Sequence, residues 1–393
     1  MTQHADIAVI GGGPIGLAFA LAAHAQGRHT IVLEANGLRP PSTGAGSDTR
    51  TLALAEGSRL ILNEIGVWSS ALEATPIKTI HVSQRGGFGQ SILHAAESGV
   101  PALGYTLNYR ALVAALLQRA AACGLSVIDS ATVQGVATTA SYGVVTYSCD
   151  DAEHTLTSKL IVVADGGRSL TQLPSIHIQQ KDYAQIALLA RVSADRPHGN
   201  VAYERFTPTG PVALLPVADE FGLVWTVSPS EAKRIKALDD KDFLAEFQAQ
   251  FGDYAGKFSN VHSRFQFPLR LRYADKTTAE RTVLIGNAAQ ALHPVAGQGF
   301  NLGLRDADDL ARLLRAVPAD GDCGEANLLQ RYRRRRLPDT RLGIFFTDAL
   351  VRGFSNDNPL TRVGRGVGLA ALQLAPFARR CLAQAMMFGR PHS

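Results

Sequence analysis

Cysteine is scarce: the 393 residues hold four, Cys123, Cys149, Cys323 and Cys381, all far apart. None forms a C-x-x-C pair or stands with histidine at metal-ligand spacing. Neither a disulfide framework nor a metal site is therefore expected, and the thiols read as reduced. No apolar run approaches the ~20 residues that cross a bilayer. The chain enters an apolar strand within its first few residues, so no secretory leader is expected and the protein is placed in the cytoplasm. No basic patch interleaves with aromatics, which argues against nucleic acid as a partner. A Ser/His/Asp triad, a carboxylate pair, internal repeats and low-complexity tracts are also missing. What remains is an ordinary globular composition, 46% hydrophobic and 19% charged, long enough for two domains or for one carrying another as an insertion.

The N-terminus is informative. Asp6 to Ile10 is a short apolar strand, and Gly11-Gly12-Gly13-Pro14-Ile15-Gly16 follows it as G-x-G-x-x-G. An Ala/Leu-rich helix runs from Leu17 to Gln26, and a second strand, Thr30 to Leu33, ends on Glu34. In a dinucleotide-binding βαβ unit, Gly11, Gly13 and Gly16 allow the turn, the approach of a pyrophosphate and the helix–strand packing. An acid at the end of the second strand, here Glu34, accepts from ribose hydroxyls. The pattern by itself does not choose between a flavin and a nicotinamide dinucleotide.

Two later stretches make that choice. Leu160 to Val163 is a strand running into Ala164-Asp165-Gly166-Gly167-Arg168-Ser169. Residues 281–310, RTVLIGNAAQALHPVAGQGFNLGLRDADDL, read as a strand, a tight loop and an amphipathic helix. The loop offers backbone N–H groups and the positive end of a helix dipole, and its glycines leave no side chain between that backbone and a flat ring. Taken in order, the three stretches resemble the motifs of the aromatic-hydroxylase class of FAD monooxygenases. The wording GNAAQ-LHP-AGQGFNLGLRD is most similar to the ubiquinone-biosynthesis branch, whose members hydroxylate polyprenylated phenols such as a methoxyphenol. The chain departs from the class at Asn287, where most members have Asp. It departs again at Gln172, where the family motif closes with Arg.

The resemblance implies an α/β fold: a Rossmann-like FAD-binding domain, an interleaved mixed β-sheet substrate domain and C-terminal helices. FAD is the implied cofactor, and NAD(P)H and O2 are the implied co-substrates. The resemblance implies that reduced flavin would add O2 to form a C4a-hydroperoxide, which would pass an electrophilic OH to a phenol ring. No second G-x-G-x-x-G follows, so no separate nicotinamide domain is expected. Besides Gly11, Gly13, Gly16 and Glu34, the implied cofactor contacts are Arg50, Arg110, Asp165, Gly166, Asn287, Gly297, Gly299, Phe300 and Asn301. Asn287 would bond the ribityl chain, and the backbone from Gly297 to Asn301 would face the N1–C2=O edge. Pro294 would shape the oxygen pocket beside C4a, and Arg50 would contact the flavin. His293 is either a proton relay or a structural partner in the loop. The rival readings are a hydroxylase of the same pathway acting at another ring carbon, and a catalytically weak flavoprotein subunit of a biosynthetic assembly.

The motifs divide the chain. Residues 1–75, 104–175 and 271–325 would form the FAD domain, 76–103 and 176–270 the substrate domain, and 326–393 a helical region. Residues 124–164 read as a small antiparallel meander, and residues 183–270 as a β-rich wall carrying Tyr183, Tyr203 and Phe206, with one helix near Asp240 to Phe251. The C-terminal helices are expected to be separated at Pro338, Pro359 and Pro376. Arg331, Arg333, Arg334, Arg335 and Arg336 supply part of the net charge of +5. They form either a solvated helix face or a surface for anionic lipid or protein. A polyprenyl phenol is the implied substrate, taken from a membrane surface or a biosynthetic complex.

Overall fold

A computed structural model describes residues 2–37, 51–292, 297–354 and 359–389. β1 (Thr2–Ile10) ends in four buried residues and turns at the glycines into α1 (Pro14–His24). Pro14 sits in the first helical turn, where its fixed φ is preorganised and its missing N–H is one of the orphans anyway. β2 (Thr30–Leu33) returns parallel to β1. β3 (Thr51–Ala55) feeds α2 (Glu56–Glu64), and β4 (Thr75–Ile77) leads to the hairpin of β5 (Thr79–Gln84) and β6 (Gln90–His94). β7 (Gly104–Asn108) pairs with β3 and β4, then starts α3 (Tyr109–Cys123). Asn108 caps that helix by accepting from the Arg110 N–H at 2.8 Å.

β8 (Ser126–Ile128) lies parallel beside β2. β9 (Thr132–Thr138), β10 (Gly143–Cys149) and β11 (Ala152–Val163) form an antiparallel meander, and β11 also runs parallel to β1. The expected meander over 124–164 is thus corrected at its start. Ser126–Ile128 follows α3 and pairs in parallel with β2 at the edge of the first sheet instead. β12 (Ile178–Ala194), β13 (Val201–Thr207), β14 (Gly210–Val217) and β15 (Glu220–Val227) precede α4 (Pro229–Lys236) and α5 (Asp240–Phe251). β16 (Phe258–Ala274), β17 (Thr278–Ala279), β18 (Thr282–Leu284) and β19 (Gln290–Ala291) lead to α6 (Gln298–Leu314). α7 (Ala326–Phe354), α8 (Pro359–Leu374) and α9 (Pro376–Phe388) complete the chain.

The first sheet has the order β17-β18-β11-β1-β2-β8. The chain leaves β1 toward β2 on one side and reaches β11 on the other, so the crevice of a doubly wound sheet opens at the carboxyl end of β1. The second sheet has the order β19-β16-β12-β15-β14-β13-β5-β6. One of its faces is sealed by α4 and α5 over Trp225, Phe243, Phe247 and Phe251. Its other face looks toward the cofactor loops.

Pro338 does not separate helices, contrary to expectation: it lies inside α7. A proline inside a helix costs about 3 kcal/mol through a lost hydrogen bond and a clash. Buried ion pairs on both sides of it hold the helix together. Arg336 pairs with Asp306 at 2.7 Å, Asp309 at 3.1 Å and Asp339 at 2.8 Å, and Arg305 pairs with Asp339 at 2.9 Å. The arginine run is therefore neither a uniformly solvated face nor a uniform docking surface. Arg331, Arg333 and Arg334 are exposed, whereas Arg336 is buried as the counter-charge of α6. Pro359 and Pro376 each open a helix, as expected.

Candidate active site

The cofactor loops and the open face of the second sheet line a single cavity of about 1180 Å³. At one end the wall is mostly backbone. Gly11 adopts φ +108°, and a Cβ there would lie 2.6 Å from the backbone N of Asp165, so only glycine lets the β1 and β11 turns touch. Gly13 has nothing within 4 Å of where a Cβ would stand, although it lines the cavity and caps α1. A helix N-terminus that keeps this space clear fits a pyrophosphate. Glu34 follows β2 and accepts from the Gly12 N–H at 2.6 Å and the Asn36 N–H at 2.8 Å. Its carboxylate is thus held at the cavity wall.

Asp165 builds the next turn. Its carboxylate accepts from the Gly167 N–H at 2.8 Å, the Ser169 N–H at 2.7 Å and the Ser169 hydroxyl at 2.6 Å. Gly166, at φ +73°, then carries the chain past the cavity. Arg272 on β16 donates to the Gly166 carbonyl at 2.5 Å and the Asn287 carbonyl at 3.4 Å, tying two cofactor loops to the second sheet. No motif signal marks Arg272.

The α6 loop is fixed from behind. Asn301 is buried, and its amide donates to the carbonyls of Ala53 at 3.0 Å and Gly297 at 2.7 Å. Its carbonyl oxygen accepts from the Ala55 N–H at 2.8 Å and the Ser58 hydroxyl at 2.7 Å. With those four bonds made, the side chain positions the loop and only the backbone remains to face a ring. Gly297, in left-handed conformation, starts α6, and Gly299 and Phe300 line the same cavity. Asp306 accepts from the Gly286 N–H at 3.0 Å, the Gln290 amide at 2.6 Å and Arg336 at 2.7 Å. Burial pushes the Asp306 carboxyl up, with Arg336 opposing.

Asn287 and Arg110 also line the cavity, as do Tyr109 and Arg168, which the motifs did not single out. Arg50, His293 and Pro294 lie outside the described residues. The structure thus brings Gly11, Gly13, Glu34, Arg110, Asp165, Gly166, Asn287, Gly297, Gly299, Phe300 and Asn301 to one cavity. Gly16 stands just behind it: a Cβ there would meet the Gly11 carbonyl at 2.0 Å. This set fits FAD, with open space at a helix N-terminus, an acid at the end of β2 and a glycine-lined helix start.

At the other end the wall is apolar. Val82, Leu189, Ala213, Leu215 and Val224 come from the second sheet, and Leu369, Leu372, Leu382 and Met386 from α8 and α9. Gln373 on α8 accepts from the Ile92 N–H at 2.8 Å, and Arg379 on α9 pairs with Glu97 at 3.1 Å, so both helices are fastened to the β5–β6 hairpin region. Phe206 lines the cavity, while the Tyr203 ring packs on Phe221 and Phe251 and the Tyr183 hydroxyl donates to Asp348 at 2.9 Å. One charged type interrupts this apolar wall, Glu204. Burial pushes its carboxyl up to about 8. No motif signal marks Glu204, which stands beside Arg205 in a strand of mixed polar and apolar residues.

A family model described as an FAD binding domain matches residues 4–342. The chain is 34% identical over 402 residues to ubiquinone hydroxylase UbiL of Rhodospirillum rubrum, covering 97% of this chain and 89% of that protein. It is 29% identical over 398 residues to the 3-demethoxyubiquinol 3-hydroxylase of Escherichia coli, covering 96% of this chain and 97% of that protein. Among solved structures, p-nitrophenol 4-monooxygenase PnpA from Pseudomonas putida matches over 100% of both chains, with a TM-score of 0.78 at 17% identity, a likeness of fold.

Proposed function

The chain belongs to the FAD binding domain family and, within it, to the ubiquinone-biosynthesis hydroxylases, and from that premise we propose that it hydroxylates the ring of a polyprenylated methoxyphenol. It is an FAD-dependent monooxygenase. The observation that carries the substrate reading is the shared cavity: cofactor loops at one end, and an apolar wall with one carboxyl at the other. A ring with a hydroxyl group and a long apolar tail matches that wall, since each methylene taken from water is worth ~0.8 kcal/mol.

FAD, when bound and reduced by NAD(P)H, would supply an electrophilic hydroxyl from O2. The protein's part is position and electrostatics. In this reading Gly11, Gly13 and the α1 N-terminus hold the pyrophosphate, with Arg110 beside it, and Glu34 holds the ribose. Asp165 and Gly166 shape the turn against the flavin, and Asn287 donates to the ribityl chain. The α6 N-terminus from Gly297 to Asn301 would face the flavin ring and favour negative charge on it. Arg50, Pro294 and His293 keep the roles that the resemblance implies. The division into a discontinuous FAD domain, a substrate domain and a C-terminal helical region belongs to the same reading.

Among the described residues no helix is long and apolar enough to cross a membrane. We place substrate uptake at a membrane surface, through α8 and α9. The test is a strain lacking the protein. Its quinone precursors should stop at a prenylated methoxyphenol missing one ring oxygen, and the purified enzyme should place one atom of labelled O2 on that carbon. Accumulation of a precursor lacking a different hydroxyl would move the ring position. Unchanged quinone levels would remove the pathway assignment.

A further inference from the structure

We infer that Glu204 receives the hydroxyl proton of the phenol, an assignment that rests on the hydroxylase reading above. On β13, Tyr203 turns to the aromatic cluster under α5, and Arg205 donates to Ser83 at 3.1 Å with its guanidinium 4.7 Å from the Tyr254 ring centre. Ala202, Glu204 and Phe206 take the opposite face and line the cavity.

Register then places Glu204 in a row. It pairs with Val82 of β5 and Ala213 of β14, Ala213 pairs with Val224 of β15, and Val224 with Leu189 of β12. All five residues line the cavity, so one carboxyl stands in an apolar ladder that crosses five strands. Helices α8 and α9 contribute only apolar side chains to this space. Among the described residues the remaining ionisable groups of the wall are Tyr203, whose ring packs on Phe251, and Glu34, Tyr109, Arg110, Asp165 and Arg168 of the cofactor loops. Burial is the sole cause of the upward shift at Glu204.

Among the described residues the Glu204 carboxyl stands in apolar surroundings without a charge partner, which is costly unless something bonds to it. A phenol hydroxyl suits it. Burial brings the carboxyl to about 8, close to a phenol near ~10, so the proton passes between them at little cost. In the step, the phenol O–H bond breaks and a new O–H bond forms on the Glu204 carboxylate. The electron pair stays on the phenolate oxygen and enriches the ortho and para ring carbons that an electrophilic hydroxyl attacks. No electrons are exchanged with Glu204.

The experiment uses FAD-loaded enzyme, NAD(P)H, O2 and a short-chain prenylated 2-methoxyphenol, with wild type and Glu204→Gln compared from pH 6 to pH 10. Wild-type kcat should rise through about pH 8 and level off. Glu204→Gln should lose about 10²-fold in kcat at the plateau, with KM held within about threefold and FAD content unchanged. Its rise through pH 8 should be replaced by a slope toward the ionisation of the free phenol. If Glu204→Gln loses flavin, Glu204→Asp carries the test, because it keeps a carboxyl and must keep a rise and a plateau. A Gln variant with wild-type kcat and pH profile, or one changed in KM alone, overturns the proton role and leaves the hydroxylase reading standing. A wild-type enzyme that hydroxylates no prenylated phenol overturns both.

Discussion

The two ends of the cavity are built on opposite principles. At the cofactor end the wall is mostly backbone, and three of the polar side chains behind it are engaged: Asn301 makes four bonds, Asp165 three, and Asp306 three. At the sheet end the wall is side chains, apolar among the described residues except for Glu204. The first end can tolerate almost no added atoms. The second is a surface on which volume and polarity can be traded. The difference suits a fixed cofactor beside a variable, greasy substrate.

The sharpest way to break that contrast is Gly13→Val. Nothing lies within 4 Å of its Cβ, so the fold should survive, but the new side chain fills the space kept for the pyrophosphate. FAD affinity should fall by about 10³-fold or more, as expected when several charge-assisted contacts are lost together. The check is flavin content beside an unchanged circular dichroism spectrum, and full flavin retention would remove the loop from the site. Asp306→Ala comes next. It leaves Arg336 buried with one counter-charge fewer and the Gly286 N–H without a partner. Breaking a buried pair in this way costs about 3–5 kcal/mol, to be read from denaturant unfolding of the holoenzyme.

Ala213→Phe should act at the sheet end alone. It adds volume beside Glu204 and should raise KM for the long-chain substrate by roughly 10–100-fold, with FAD unchanged. Equal loss of flavin would show that the two ends are not separable. Glu204→Gln should also alter stability, with a pH dependence of fixed sign. Below pH 4.5 the carboxyl is protonated in both folded and unfolded chains, and nothing is lost. Between 4.5 and about 8 only the unfolded chain ionises, so wild-type stability falls, and the loss stays in place above about 8. The variant should therefore be more stable at pH 8 by ~2 kcal/mol, a full ~1.4 kcal/mol per unit being discounted because the cavity admits water, and equal to wild type at pH 4. A thermal melt at both pH values decides it.

The smallest expected effect is at the rim. Leu374 is 84% and Phe377 75% exposed, at the α8–α9 junction next to cavity-lining Leu372 and Leu382. Apolar residues so exposed suit an interfacial site. Replacing both by Ser should weaken binding to anionic vesicles roughly tenfold, seen by co-sedimentation. Unchanged binding, or none in the wild type, would end the membrane role for this junction.

Much of the cofactor end is legible in the chain itself. Backbone needs are local: G-x-G-x-x-G, Asp165-Gly166 and the Gly286–Gly303 stretch each encode a turn within a few residues, so each can be read as a motif. The β-rich wall and the α5 helix are readable for the same reason, from alternation and turn residues. Pro338 and Arg336 were misleading because their neighbours are distant in sequence. Only α6 packed against α7 turns Arg336 from a surface charge into a buried counter-ion and holds a helix across a proline. Arg272 and Glu204 were silent for a related reason: each matters through what lies on another strand.

The sequence by itself determined the dinucleotide turn, the flavin loop and the order of elements, because glycine geometry and hydrophobic period act over a few residues. Tertiary structure alone decided that five strands set Val82, Glu204, Ala213, Val224 and Leu189 in one row, and that the row shares a cavity with the cofactor loops. Register between strands far apart in the chain is set by the packing of whole sheets, and no short stretch carries it.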